Sequence, residues 1–153
     1  MLNLFQHLRA GVETPKQVRG DSSYDGNCVS LLFLLCSCIL FFMNYHNRIF
    51  RPVSNTENGE TSSETVFKYV QQGNIITSEY SGGKIVKGHL IGLVNERGEI
   101  DMRYHQVNTN GELMTGICHS PPEILPNGKI RLHEQWEWTS GDRSKGKSVI
   151  EEE

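Results

Sequence analysis

The chain has 153 residues, enough for one domain of ordinary size and an appendage. Its 15 lysines and arginines are outnumbered by 18 acidic residues, and this net charge of −3 argues against DNA or RNA as a partner, because phosphate binding needs a basic surplus. Cys28, Cys36 and Cys38 lie in or beside one apolar run, far from Cys118, which argues against a disulfide framework and a cysteine-based zinc site.

The N-terminal extension, residues 1–43, contains a strongly apolar segment over 29–43. This segment is shorter than the roughly 20 residues of a membrane-spanning helix and resembles the hydrophobic part of a signal peptide. If Met43 is the natural start, residues 1–42 are an extension of the gene model and the protein is cytoplasmic, which is the interpretation we favour. If 29–43 form a real anchor, the membrane is a partner and the protein is membrane-anchored or exported.

Short turn sequences that contain glycine divide the rest of the chain, the predicted domain 44–153, into β-branched and aromatic stretches. Asn-Gly pairs at 58–59, 110–111 and 127–128 supply the positive φ angles that tight hairpins need. No stretch shows a helical periodicity. We predict strands near 48–54, 65–71, 75–80, 84–95, 99–108, 112–120, 129–139 and 147–151.

The short connections between these strands require neighbouring strands to run antiparallel. Eight strands in simple succession can close into a barrel, which leaves no exposed sheet edge. The predicted fold class is therefore all-β: an eight-stranded antiparallel up-and-down meander barrel, lipocalin- or avidin-like in shape, with the apolar N-terminal segment outside it. A flattened sandwich is the main structural alternative.

Alternation along the strands predicts which side chains face inward. In 129–139 one face carries two tryptophans and Glu134, whereas Arg131 lies on the opposite face, which must contact water. The predicted inward residues are Ile130, Leu132, Glu134, Trp136 and Trp138 in this strand, Phe67 and Tyr69 in 65–71, Ile100, Met102, Tyr104 and Gln106 in 99–108, and Val86, Gly88, Leu90 and Gly92 in 84–95.

The inward Glu134 is the centre of the candidate site. An apolar cavity with a few polar groups is typical of small-molecule sites, and we predict a ligand pocket for a partly apolar molecule. Its candidate residues are Tyr80, Met102, Tyr104, Glu134, Trp136 and Trp138. The alternative is a packed core in which Glu134 forms a structural ion pair with Arg103 or Arg131. The histidines lack HxH or HExxH spacing, so no metal site and no cofactor are predicted.

Three segments resemble a family of short bacterial proteins that commonly carry the name N-acetylglutamate synthase. They are 101–105 (DMRYH), 110–116 (NGELMTG) and 131–142 (RLHEQWEWTSGD), and the resemblance extends over essentially 43–153. It implies acetyl transfer from acetyl-CoA to glutamate, with acetyl-CoA as the cofactor. Under that reading Glu134 is the only plausible general base, and no catalytic residue is carried over from the family.

Three functions follow as expectations. The first is a small barrel that binds a partly apolar small molecule or acts as an accessory module, without a catalytic signature. The second is the acetyltransferase that the resemblance implies. The third is a structural or partner-binding domain, tethered to a membrane if the apolar segment is real; the oligomeric state is not predicted.

Overall fold

The computed structural model describes residues 43–153, so the predicted apolar segment over 29–43 lies almost wholly outside the described residues. Within this range the backbone forms nine β-strands, and no helix there could cross a membrane. The strands are β1 (Ile49–Asn55), β2 (Val66–Gln72), β3 (Ile75–Gly82), β4 (Ile85–Val94), β5 (Ile100–Asn108), β6 (Leu113–Ser120), β7 (Pro122–Ile124), β8 (Ile130–Trp138) and β9 (Lys145–Glu152).

The strands form one sheet that closes on itself. Successive strands from β1 to β6 are hydrogen-bonded neighbours, and β9 pairs with both β1 and β8. β8 also pairs with β6, which joins the two ends of the sheet. All of these pairs are antiparallel. The predicted antiparallel meander barrel is therefore confirmed, and the sandwich alternative is wrong.

β6 and β7 together make a single wall of the barrel. Cys118 of β6 pairs with Trp136, and Pro122 of β7 pairs with Leu132, so both segments keep the same register along β8. The interruption falls at Pro121, whose carbonyl oxygen accepts a hydrogen bond from the His133 amide at 3.1 Å. Proline has no N–H to donate to a ladder, which explains the break. Nine strand segments thus build eight walls.

The predicted alternation holds along β8. Ile130, Leu132 and Glu134 are buried with the two tryptophans, and the residues between them are more exposed. The interior is filled mainly by apolar and aromatic side chains from every wall of the barrel. This burial of apolar surface is the main force that holds the closed sheet together.

The predicted inward position of Val86 is wrong, because a β-bulge changes the parity at the start of β4. The register against β5 shifts between Ile85 and Lys87. Ile85 takes the inward position, and Val86 is 59% exposed. A bulge inserts one residue, so side chains on either side of it exchange faces.

Three aromatic rings of the interior lie against glycines on neighbouring strands. The space predicted at Gly88 is filled by the ring of Tyr80, since a Cβ on Gly88 would lie 2.2 Å from a ring carbon. Gly92 is likewise covered, because a Cβ there would lie 2.8 Å from the Met102 Cβ. The register pairs are Tyr80–Gly88, Tyr104–Gly116 and Trp136–Gly146.

Candidate functional site

A small recess opens into the barrel beside the loop that joins β1 to β2, residues 56–65. Its volume is about 50 Å³. All six residues predicted for the ligand pocket line it, although they come from three different strands, β3, β5 and β8. The lining residues are Asn55, Gly59, Glu60, Thr61, Phe67, Tyr80, Leu90, Met102, Tyr104, Gln106, Cys118, Glu134, Trp136, Trp138 and Ser148.

Glu134 is the buried carboxyl group of this recess, with 9% of its surface exposed. It lies opposite Ser148 in the β8–β9 register, and the Ser148 hydroxyl donates a 2.7 Å hydrogen bond to Oε2. Its other oxygen, Oε1, has no hydrogen-bond partner within residues 43–153. Burial raises the pKa of Glu134 to about 7, and the bond from Ser148 opposes this shift. The site therefore holds a carboxyl group that changes charge near neutral pH.

The predicted ion pair of Glu134 with Arg103 or Arg131 is wrong. Arg131 pairs with Glu151 at 2.6 Å on the outer surface. Arg103 donates to the carbonyl oxygen of Met102 at 3.0 Å. Consecutive residues of a strand point to opposite faces, so Arg131, three residues before Glu134, lies on the face opposite to it.

Two aromatic clusters form the apolar walls of the recess. Trp138 packs against Trp136 with ring centroids 5.7 Å apart and against Tyr104 at 5.3 Å. Phe67 and Tyr80 stack at 4.7 Å. Buried Met102 and Leu90 add aliphatic surface. The recess thus combines aromatic faces with one buried carboxyl group.

Glu60, a residue that the sequence analysis did not find, ties the β1–β2 loop to the barrel. Its carboxylate accepts hydrogen bonds from the side-chain amides of Gln106 and Asn108, the second at 2.8 Å. Gln106 in turn accepts a 2.9 Å bond from the Tyr80 hydroxyl. Glu60 precedes Gln106 by 46 positions, and its local sequence looks like that of any solvated loop. Only the closed fold brings these groups together.

Glu60→Ala is expected to loosen this loop. Gln106 and Asn108 are buried, and Gln106 loses the only acceptor that residues 43–153 give its amide nitrogen, so we expect a loss of about 1–2 kcal/mol in the free energy of unfolding. Hydrogen–deuterium exchange should become faster over 56–64 and change little in β8. Glu57→Ala, at an exposed position of the same loop, is the control. Unchanged exchange in the Glu60 variant would contradict this role.

Asn55 supplies a second unpaired acceptor at the recess. Its amide nitrogen donates to the Thr61 carbonyl oxygen at 3.0 Å and to the Thr61 hydroxyl at 2.8 Å. A carbonyl oxygen can only accept, so the nitrogen must face Thr61 and Oδ1 must point elsewhere. That Oδ1 is buried and has no partner within the described residues.

Comparison with known proteins identifies a family for most of the chain. Residues 43–153 match the family model described as "Avidin-like protein". A search of curated proteins finds no match. The family match covers every strand of the barrel, from β1 to β9.

The resemblance to N-acetylglutamate synthase is wrong. The segments that carried it, 101–105, 110–116 and 131–142, are parts of β5, of the β5–β6 hairpin, and of β8 with the connection that follows it. A glycine-rich loop that opens a helix, the usual cradle for the pyrophosphate of CoA, is absent from residues 43–153, which contain no helix. The matched family and the closed barrel agree with each other, and the chain belongs to the avidin-like family of β-barrel proteins.

Proposed function

We propose that this barrel binds a small, partly apolar molecule in the recess beside the β1–β2 loop. One observation carries the proposal: a buried carboxyl group with an unpaired oxygen, Glu134, lines the same recess of the barrel as two aromatic clusters. Small-molecule sites are typically apolar and contain a few well-placed polar groups. Membership of the avidin-like family supports the same type of function.

The volume of the recess limits what enters it. A buried water occupies roughly 10–15 Å³ on this measure, so about 50 Å³ accommodates a few water-sized groups. A larger ligand therefore inserts one end, or the β1–β2 loop moves. Glu60 ties that loop to β5 by two hydrogen bonds, and Asn58 donates to Ser144 and to the Lys145 carbonyl oxygen, so a movement of the loop has to break these bonds.

The only two tryptophans of the chain, Trp136 and Trp138, both line the recess, so intrinsic tryptophan fluorescence reports on this site. The full-length protein is titrated separately with biotin, a small ligand of the avidin-like family, and with n-butylamine, n-butanol and butyrate as minimal probes. We expect at least one probe to change the fluorescence saturably, with heat release in calorimetry. Absence of saturable binding by all four probes would contradict the proposal.

A second candidate function is a structural or partner-binding module. One specific observation favours it: the recess holds only about 50 Å³, because the rings of Tyr80, Tyr104 and Trp136 occupy the space beside inward glycines. Native mass spectrometry of the protein from its own host distinguishes the two functions. A co-purifying small molecule supports the ligand-binding function, and a co-purifying protein chain without one supports the module.

A further inference from the structure

The charge of the recess points to a particular class of ligand. Two of its lining residues, Glu60 and Glu134, carry carboxyl groups, and none of the lining residues is a lysine, an arginine or a histidine. An anionic group placed here meets the carboxylate of Glu60, and that of Glu134 once it is ionised, in a partly dehydrated space where repulsion between like charges is strong. The lining therefore disfavours carboxylates and phosphates.

Two hydrogen-bond acceptors of the recess have no donor within residues 43–153. They are Oε1 of Glu134 and Oδ1 of Asn55. Two donors of the same region are used within the protein, since Ser148 donates to Glu134 and Gln106 donates to Glu60. A buried acceptor without a donor, such as Asn55 Oδ1, is costly, so a ligand that supplies N–H groups compensates for what the protein leaves unsatisfied.

The aromatic walls favour a positive charge as well. Trp136, Trp138 and Tyr104 form one aromatic cluster in the lining of the recess, and Phe67 and Tyr80 form a second. The faces of aromatic rings attract cations, and tryptophan attracts them most strongly. Because the recess is small, a compact ammonium group fits it better than a bulky quaternary head group.

We infer that the ligand of this recess is a primary organic ammonium on a short apolar stem, whose N–H groups donate to Glu134 Oε1 and Asn55 Oδ1. This inference rests on the proposed function and names its ligand class. The ammonium enters the recess, and the stem lies between the aromatic walls towards the opening. No residue moves a proton or forms a bond in this step, which is binding alone.

The charge of Glu134 makes this binding depend on pH. The other titratable groups nearby are Tyr69 on β2, Tyr80 on β3, Tyr104 on β5 and Cys118 on β6, and Glu60 lies in the loop. Burial raises the pKa of each of these tyrosines and of the Cys118 thiol, so they stay neutral between pH 6 and 8. Burial places the pKa of Glu134 at about 7, so its ionised fraction increases roughly tenfold over that range.

The test is a titration of the full-length protein with n-butylamine at pH 6 and pH 8, followed by tryptophan fluorescence and calorimetry. We expect saturable binding that is roughly tenfold tighter at pH 8, because the amine keeps its proton at both values while Glu134 ionises. Glu134→Gln should weaken binding at pH 8 at least tenfold and remove the pH dependence. Glu137→Gln, on the outer face of the same strand and paired with Lys145, should bind as the native protein does.

The other probes separate the inference from the proposed function. Saturable binding of biotin, n-butanol or butyrate without binding of n-butylamine would overturn the inference and leave the proposed function standing. Tighter binding of n-butylamine at pH 6 than at pH 8, or undiminished binding by Glu134→Gln, would also overturn it. If none of the four probes binds, the proposed function fails and the inference fails with it.

Discussion

Glu134→Gln should stabilise the barrel at pH 8 and change its stability little near pH 4. In the folded protein, burial raises the pKa of Glu134 from 4.5 to about 7. The folded state therefore holds this proton more tightly than the unfolded chain, and the native protein loses stability as the pH rises between these two values. The difference amounts to about 3 kcal/mol at pH 8. Glutamine stays neutral at every pH and keeps an oxygen for the hydrogen bond from Ser148.

Urea unfolding of the native protein and the variant at pH 4, 6 and 8 measures this effect. Both tryptophans are buried, so their fluorescence follows unfolding. The difference in the free energy of unfolding should be near zero at pH 4 and increase towards pH 8 in favour of the variant. Glu137→Gln, whose carboxyl group is on the outer surface, should show no such trend. A constant difference at all three values would mean that Glu134 titrates normally.

The strands and the lining of the site could be predicted because both follow from local rules. Asn110-Gly111 and Asn127-Gly128 form turns with glycine at positive φ, as their sequences require. The inward side of β8 follows from alternation, which has a period of two and is not interrupted there. The closed fold then brings the six candidate residues to one recess.

The wrong predictions arise where the alternation of side chains along a strand is interrupted, or where it is not considered for both partners of a pair. The bulge at Ile85–Lys87 has no clear signal in the sequence, so simple alternation predicts the wrong face for Val86. Alternation along β8 places Arg131 on the face that contacts water and Glu134 on the inward face. The same rule therefore excludes an ion pair between these two residues. Glu60 could not be found, since loop geometry is not periodic.

The fit between aromatic rings and glycines could not be predicted either, because it depends on cross-strand register. Tyr80 and Gly88 are register partners on β3 and β4. An inward glycine leaves the space of a side chain empty, but the sequence does not say which side chain of a neighbouring strand occupies that space. At Gly88 the ring of Tyr80 occupies this space. The glycine therefore allows the ring to line the recess and does not make the recess larger.

Gly88→Ala should therefore destabilise the barrel by about 1–3 kcal/mol, because an alanine methyl group would overlap the ring of Tyr80. The ring is buried and its hydroxyl is hydrogen-bonded to Gln106, so it cannot turn away without losing that bond. Thermal and urea unfolding measure the loss. The tryptophan emission should also shift, since Tyr80 lines the same recess as both indoles.

A double-mutant cycle with Tyr80→Leu tests whether the ring is the cause. Leucine removes the ring atoms that the methyl group would meet, so Gly88→Ala should become neutral or slightly stabilising in that background, because alanine restricts the unfolded chain more than glycine does. Gly73→Ala is the control: this glycine has a φ of +61° and no atom near its missing Cβ, so its cost comes from the backbone alone and should be the same in both backgrounds. An equal cost of Gly88→Ala with and without the ring would show that the strand backbone, and not Tyr80, requires glycine at this position.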